Sequence, residues 1–434
     1  MNYLIRFVQV HESFRQPEIE ALAALNDIDL KWVFYSKDDE KSAKELIFRS
    51  ISCKSIHEIW GHGNTYPSLY ASTESLSRHL WPIYGQSSFR FRFDDYQGSR
   101  SWSSGREIIQ TFSYLNLQGP VSMSSPEQTF TVFEQFEKDA SEPNRLFIGR
   151  FVGGSSRTEI LAKYTLKKRE YINTTSMDSE LAFLTANITC AAPDKLFYDP
   201  FVGTGSLPIA CAHFGGLTLG SDIDGRMVRG TADKNIGTNF QQYALTGRWM
   251  GGIISDLTNT PLRTRARWLD GIVCDPPYGV REGLKVLGSK KEGKGREVQY
   301  INREAAHLQD DHIPPKRAYS LTAILDDILH FAALTLLDNG RISVWMPTSN
   351  DEQGNLDVPS HQALELVAEC EQVFNKWSRK LLTYRRIPGL DAGENRQSVR
   401  KAAGGHANDL NVFRKRYFEG FKSVNEEAAQ GREL

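Results

Sequence analysis

Residues 195–224 read KLFYDPFVGTGSLPIACAHFGGLTLGSDID, and this stretch sets the fold class. A short apolar run ends in Asp199, and a turn containing Gly203 and Gly205 follows. An apolar helix then starts near Ser206, and a second strand ends in Asp222. Strand, glycine turn, helix and strand form the opening unit of a doubly wound sheet. Glycines let the backbone approach a ligand closely, and the start of the helix offers unpaired N–H groups. A nicotinamide enzyme would carry G-x-G-x-x-G, but here the third position is Pro208, which disfavours a dinucleotide pyrophosphate. A nucleoside ligand without phosphates stays open.

The same alternation continues on both sides. TSMDSELAFLTANITC (175–190) reads as an amphipathic helix with Met177, Leu181 and Leu184 on one stripe. WMGGIISDL and WLDGIVCDPPYG read as strands, LTAILDDILHFAALTLL as a long helix and RISVWMPT as a further strand. The stretch after Asp224, to about Asn239, reads as one helix. Strands alternating with helices predict a parallel, doubly wound α/β sheet, whose ligands bind at the carboxyl ends of the strands. Between Val280 and Pro315 a polar stretch with little periodicity reads as a disordered insertion or a substrate lid.

Four acids end successive predicted strands: Asp199, Asp222, Asp256 and Asp275. A carboxylate at Asp222 can accept both hydroxyls of a ribose. Asp224 is the neighbour that competes for that role, and helix capping is the plain alternative for both. Asp256 can accept an adenine amino group, again with capping as the alternative. Asp275-Pro276-Pro277-Tyr278 is the specific signal. An exocyclic amine on an aromatic ring is a poor nucleophile because its lone pair is delocalised. Accepting its hydrogens on Asp275 and on the Pro276 carbonyl favours a pyramidal nitrogen. Two prolines stiffen the backbone there, and Tyr278 offers a face for an extracted base. Any one of these acids occurs readily by chance; four in register at one sheet edge do not.

The 434 residues carry a net charge of −1, so whole-chain charge identifies no partner and nucleic-acid contact would need local basic patches. FRFRF, LAKYTLKKREY and KWSRKLLTYRRI mix cations with aromatics, a combination that suits phosphate contact and stacking; a solvated strand or helix face is the plain reading of each. Five cysteines without a C-x-x-C pair argue against a disulfide framework or zinc site and for a reducing compartment. The opening MNYLIRFVQVHESF is interrupted by Arg6, His11 and Glu12 and does not read as a secretory signal. The longest apolar run, Ile328 to Leu337, is too short to span a bilayer. Residues 288–295, GSKKEGKG, narrowly miss a phosphate-binding loop, and His57, Glu58 and His62 miss the zinc pattern H-E-x-x-H by one residue. Residues 1 to about 150 read as small α+β material: YLIRFVQV, KWVFYS and SFRFRFDDY as strands, PEIEALAALN and LSRHLWPIY as helices.

Five longer strings carry a family resemblance: LKKREYINTTSMDSELAFLTAN, YDPFVGTGSL, GSDID, IVCDPPYGVREG and CEQVFNKWSRKLLTYRRIP. With them the chain resembles the eukaryotic and archaeal tRNA guanine-N2-methyltransferases acting on guanosine 10, especially the eukaryotic catalytic subunit. The resemblance implies a ferredoxin-like plus THUMP tRNA-binding region over 1–160. It also implies a Rossmann-like class I methyltransferase domain over 161–420 and a tail over 421–434. It further implies S-adenosyl-L-methionine as donor, held by Asp199, Gly203, Gly205, Asp222 and Asp256, with Thr175 and Met177 reaching it from the preceding helix. A small zinc-binding activator subunit is implied as partner, with no metal in this chain, no membrane and a cytoplasmic location. The catalytic set is Asp275, Pro276, Pro277 and Tyr278. A DNA or rRNA amino-methyltransferase would share the DPPY motif, and a methyl-transfer assay on DNA against tRNA separates the two. An RNA-binding protein without activity would fail to bind the donor.

Overall fold

A computed structural model describes residues 2–30, 32, 40–264, 266–281, 283–288, 300–301, 303–305, 315–350, 357–393 and 408–421. The strand expected at KWVFYS, the GSKKEGKG loop, most of the 280–315 insertion and nearly all of the 421–434 tail lie outside the described residues. Two compact units emerge. One comprises Met1–Arg15 and Leu22–Glu159, the other Gln16–Ala21 and Ile160–Leu434.

The first unit is built on a five-stranded sheet: β1 (Tyr3–Phe7), β2 (Cys53–Gly63), β3 (Phe89–Tyr96), β4 (Gln128–Phe136) and β5 (Pro143–Gly154), in the order β1-β2-β5-β4-β3. All neighbours are antiparallel except β3 and β4. The FRFRF alternation works as period two demands. Phe89, Phe91 and Phe93 pack against a core containing Trp60, Leu69, Phe130 and Ile148. Arg90 reaches the Thr129 hydroxyl and the Met123 carbonyl instead. The helix Tyr66–Ser77 lies close on β2. A Cβ on Gly61 would sit 2.1 Å from Thr73 Oγ1, so only glycine permits this approach. Buried charge is paired: Arg150 meets Glu58 at 2.8 Å and Glu40 at 2.6 Å.

The second unit holds a seven-stranded sheet. Its strands are β6 (Leu196–Asp199), β7 (Leu217–Asp222), β8 (Trp249–Ile254), β9 (Leu269–Cys274), β10 (Leu336–Ser349), β11 (Leu364–Val373) and β12 (Trp377–Arg386). The order is β11-β12-β10-β9-β6-β7-β8. Strands β10, β9, β6, β7 and β8 run parallel. The all-parallel expectation fails at one edge, where β12 is antiparallel to both β10 and β11. The physical reason is local. Only Phe374, Asn375 and Lys376 separate β11 from β12, and so short a connection can only return antiparallel.

Two helical expectations are also corrected. The helix predicted from Thr175 begins at Ser179, capped by the Asp178 carboxylate on the Glu180 N–H. It is buried all round rather than on one stripe. The helix expected up to Asn239 is two short ones, Gly225–Arg229 and Ile236–Gln242. They are interrupted at Gly230, whose φ is +56°. The helix Leu321–Thr335 covers one sheet face, packing Ile324, Ile328, Phe331 and Ala332 against Ile272, Ile342 and Val344. Among the described residues no helix is long and apolar enough to cross a membrane.

Candidate active site

The order of strands explains why four acids converge. In the register of the sheet Asp199 lies beside Gly220 of β7, and Tyr198 beside Ile272 of β9. Asp222 and Asp275 therefore stand two residues further out than Asp199, one on each side, at about 3.3 Å per residue. Ile254 lies beside Asp222, which puts Asp256 two residues further out again. The connections leave β6 and β9 in opposite directions, so the crevice opens between them at the switch point.

Asp199 forms the floor. It is only 2% exposed and accepts the Phe201 N–H at 2.9 Å. Burial pushes its carboxyl well above the usual carboxylate range, and the charges on Asp222 and Asp275 push it the same way. The same two influences, burial first and then Asp199 and Asp275, raise the Cys274 thiol.

The glycine turn is held by side chains. Asp222 accepts the Gly203 N–H at 3.1 Å and the Asp224 N–H at 2.9 Å. Gly203 and Gly205 both have positive φ, +50° and +84°. A Cβ on Gly203 would meet nothing nearer than the Phe201 carbonyl at 4.0 Å, so the turn presents bare backbone to open space. Asp224 behaves differently from Asp222. It caps the Gly225–Arg229 helix and pairs with Arg226 at 2.6 Å, which brings its pKa down to about 2. Asp256 is buried and ties the short helical turn Leu257–Asn259 to the strand Lys285–Leu287. Its Oδ1 accepts the Thr258 N–H, while Oδ2 takes the Leu287 N–H at 2.7 Å and the Thr258 hydroxyl at 2.9 Å.

Thr175 and Met177 lie in the loop before the buried helix rather than on it, because Asp178 supplies the cap one residue after Met177. Met177 is buried and Thr175 exposed. The residue between them makes the link to the turn: Ser176 Oγ and Thr204 Oγ1 are 2.7 Å apart. Asn239 supports the turn from behind, donating to the carbonyls of Thr204 and Tyr171.

Asp275-Pro276-Pro277-Tyr278 leaves β9 immediately after Cys274. The Tyr278 hydroxyl donates to Asp275 Oδ1, and burial followed by the Asp275 charge raises the phenol well above its ordinary value. The Tyr278 ring meets Trp377 edge to face, centroids 6.4 Å apart. From the other side Arg379 Nη1 stands 3.5 Å from Asp275 Oδ2. A helix late in the chain, Val412–Phe418, latches the turn. The Asn411 amide donates to the Tyr278 carbonyl at 2.8 Å, and the Arg414 guanidinium donates to the Gly279 carbonyl.

Ser176, Thr204, Asn239, Arg379, Asn411 and Arg414 are the residues that the sequence motifs miss. Ser176 and Thr204 lie inside quoted strings without being singled out there, and Arg379 belongs to the KWSRKLLTYRRI cluster. That cluster is largely consumed within the chain. Lys380 pairs with Glu369 and Arg385 with Glu365, and the fully buried Arg386 donates to the carbonyls of Ala363, Ile387 and Leu390. In the LAKYTLKKREY cluster, Arg169 is likewise buried, donating to Ser206 Oγ at 2.6 Å.

A crevice with Asp199 at its floor and two further carboxylates, Asp222 and Asp275, acting on it suits a cationic ligand and disfavours a phosphate. The open glycine turn beside it admits close approach without a phosphate-binding side chain. Similarity to known proteins agrees with this chemistry. Residues 1–157 match the Tmrp11 THUMP N-terminal domain, and residues 167–290 match the RMKL-like methyltransferase domain. The chain is 39% identical to the tRNA (guanine(10)-N(2))-methyltransferase of Saccharomyces cerevisiae, over 97% of this chain and 99% of that protein. It is 34% identical to the protein of the same name from Schizosaccharomyces pombe, over 96% of each. Identity to the human counterpart is 32%, over 96% of this chain and 95% of the human protein.

Proposed function

The chain belongs to the tRNA (guanine(10)-N(2))-methyltransferase family, and on that premise we propose that it methylates the exocyclic N2 of guanosine 10 by holding that amine between the Asp275 carboxylate and the Pro276 carbonyl. The observation that carries the reading is the position of Asp275, at the switch point two residues beyond Asp199 and close enough to act on its charge. Bound S-adenosyl-L-methionine supplies an electrophilic methyl carbon on a positively charged sulfonium.

Each residue then has a task. Asp199 and Asp222 offer negative charge to the cationic donor, and Asp222 also keeps the Gly203 N–H in place for its close approach. Asp256 receives the adenine amine on Oδ1, the oxygen bonded to the Thr258 amide. Thr175 and Met177 border the donor from the loop before the buried helix, and Gly205 closes the turn. Asp275 and the Pro276 carbonyl localise the N2 lone pair, and Pro277 keeps that carbonyl turned inward. Tyr278, tethered by its hydroxyl, presents its ring to the base. The donor would supply the methyl carbon to N2 and keep the electron pair of the C–S bond on its sulfur. One N2 proton is then lost to the Asp275 carboxylate. Positioning supplies much of the rate, and fixed dipoles in a dry pocket supply the rest.

The first unit is the tRNA-holding region. The zinc-binding activator subunit is a partner of the second unit. Its seat is supported by β8, which among the described residues ends the sheet with one side unpaired, and on which Met250 and Ile254 are 60% and 48% exposed. Five cysteines, none of them bridged, support a cytoplasmic location. The deciding experiment is Asp275→Ala. Donor binding by calorimetry should survive, while mass spectrometry should find no N2-methylguanosine at position 10. A variant as active as the parent ends the assignment.

A further inference from the structure

Arg379 stands on β12, opposite Pro347 of β10, on the sheet face that carries Trp345. Its guanidinium is held on several sides. The Cζ atom lies 4.6 Å above the Trp345 ring, and Nε donates to Gln372 Oε1 at 2.6 Å. Nη1 faces Asp275 Oδ2 at 3.5 Å, and the Tyr278 hydroxyl donates to the other oxygen, Oδ1. Trp345 is itself fixed, its indole N–H donating to Thr185 Oγ1 at 3.2 Å. A guanidinium stacked on an indole is restricted in plane and position. Only 15% of its side chain is exposed, which leaves little of it for a phosphate.

The flanking cations are directed elsewhere. Lys380 pairs with Glu369, and Lys376 donates to the Gly420 carbonyl. Around Asp275 stand Asp199, the Cys274 thiol, the Tyr278 phenol and Arg379, with Asp222 on the far side of Asp199. Asp199 is the carboxylate that repels its charge, and Arg379 offsets it. Tyr278 fixes one oxygen of the carboxylate and Arg379 the other, so the carboxylate plane is clamped from both sides.

We propose that Arg379 is a positioning residue of the methyl-transfer site, keeping Asp275 an anion in the single orientation that receives the guanine amine. This rests on Asp275 being the amine acceptor. Arg379 touches neither reacting atom; it acts through Asp275 and Tyr278. A basic residue serving tRNA phosphates would raise the KM for tRNA. A positioning residue lowers kcat and moves the acid limb of the pH profile instead.

The test compares Arg379→Gln, Arg379→Lys and Asp275→Ala in the full chain, with saturating donor and unmodified tRNA. Arg379→Gln should lower kcat about a hundredfold, the cost typical of a misplaced reacting group. Its acid limb should move up by about one pH unit, because a carboxylate that loses an adjacent cation binds its proton more tightly. The KM for tRNA should stay within about twofold of the parent, since uniform binding is untouched. Arg379→Lys should return the acid limb to its place while restoring only part of kcat, because an ammonium cannot reproduce the planar stack. Donor binding by calorimetry checks that each variant folds. A raised KM with kcat unchanged overturns the proposal in favour of a phosphate contact. So does an unmoved acid limb with Gln and Lys equally impaired, which indicates packing alone. Full activity in Asp275→Ala removes the premise as well; loss of activity there with Arg379→Gln unaffected removes only the role of Arg379.

Discussion

Exchanging one oxygen of Asp222 for an amide group tests how the glycine turn is held. In the parent both carboxylate oxygens accept from backbone, Oδ2 from Gly203 and Oδ1 from Asp224. The side chain of the Asp222→Asn variant has a single acceptor oxygen, so one backbone N–H must face the new NH2 group. A hydrogen bond to a charged group contributes about 1.5–3 kcal/mol, and replacing it by a donor–donor contact forfeits at least that. With about 1.4 kcal/mol per tenfold, the turn is released ten- to roughly a hundredfold more often. The fraction of molecules ready for the donor falls by up to that factor, the donor also loses the Asp222 charge, and the apparent Kd rises by the two together. Titration calorimetry with S-adenosylmethionine on Asp222→Asn measures this directly. Thermal unfolding without donor should show a Tm lower by about 3–5 °C for 1.5–3 kcal/mol at this domain size. A variant binding donor within about twofold of the parent, a difference near the noise of such comparisons, would refute the idea that Asp222 holds the turn for the donor.

Two further outcomes follow from burial and charge. Asp199 has its carboxyl raised by burial and by its acidic neighbours; its stabilising contribution is therefore present in full below the ordinary carboxylate pKa and is lost as pH rises through the raised folded value. Asp199→Asn should accordingly raise the Tm of the donor-free protein at neutral pH while weakening donor binding, and a lower Tm measured by calorimetry would contradict this. Arg169→Met should cost about 1–3 kcal/mol of stability, because it removes a buried hydrogen bond to Ser206; filter binding should find tRNA affinity unchanged, and a large loss of affinity in a folded variant would return Arg169 to the RNA surface.

The strand-terminal acids are legible in the sequence because a parallel sheet encodes them locally. An apolar run of four to six residues followed by Asp marks both the strand and its carboxyl end, as at Asp199, Asp222 and Asp275. Asp256 is harder to read: its strand alternates intermediate and exposed residues rather than forming a buried run. What the sequence hides is set by distant partners. Nothing near Arg379 shows that its charge meets Asp275, more than a hundred residues away. Asn411 and Arg414 reach the Tyr278–Gly279 turn across a similar span. The buried helix Ser179–Ile188 reads as amphipathic because polar Ser179, Thr185 and Asn187 mimic a solvent face. In the fold Thr185 bonds the Leu181 carbonyl and Asn187 bonds Glu18. Buried polar groups with partners leave no mark in a hydrophobic pattern.

The cluster of carboxylates is costly for the donor-free fold, and that cost is informative. Burial and two neighbouring charges all oppose ionisation of Asp199, yet an apolar residue would pack the end of β6 with no such penalty. A donor bearing a sulfonium relieves the repulsion, whereas its demethylated product, with neutral sulfur, relieves less. The same three charges therefore favour the reactant over the product in the ground state. Asp199 also opposes the charge on Asp275, the group that must accept the amine hydrogen. Arg379 opposes this from the side away from Asp199, bound to β12 and stacked on Trp345. The antiparallel hairpin that departs from the parallel sheet thus contributes the cation on which the chemistry at the end of β9 depends.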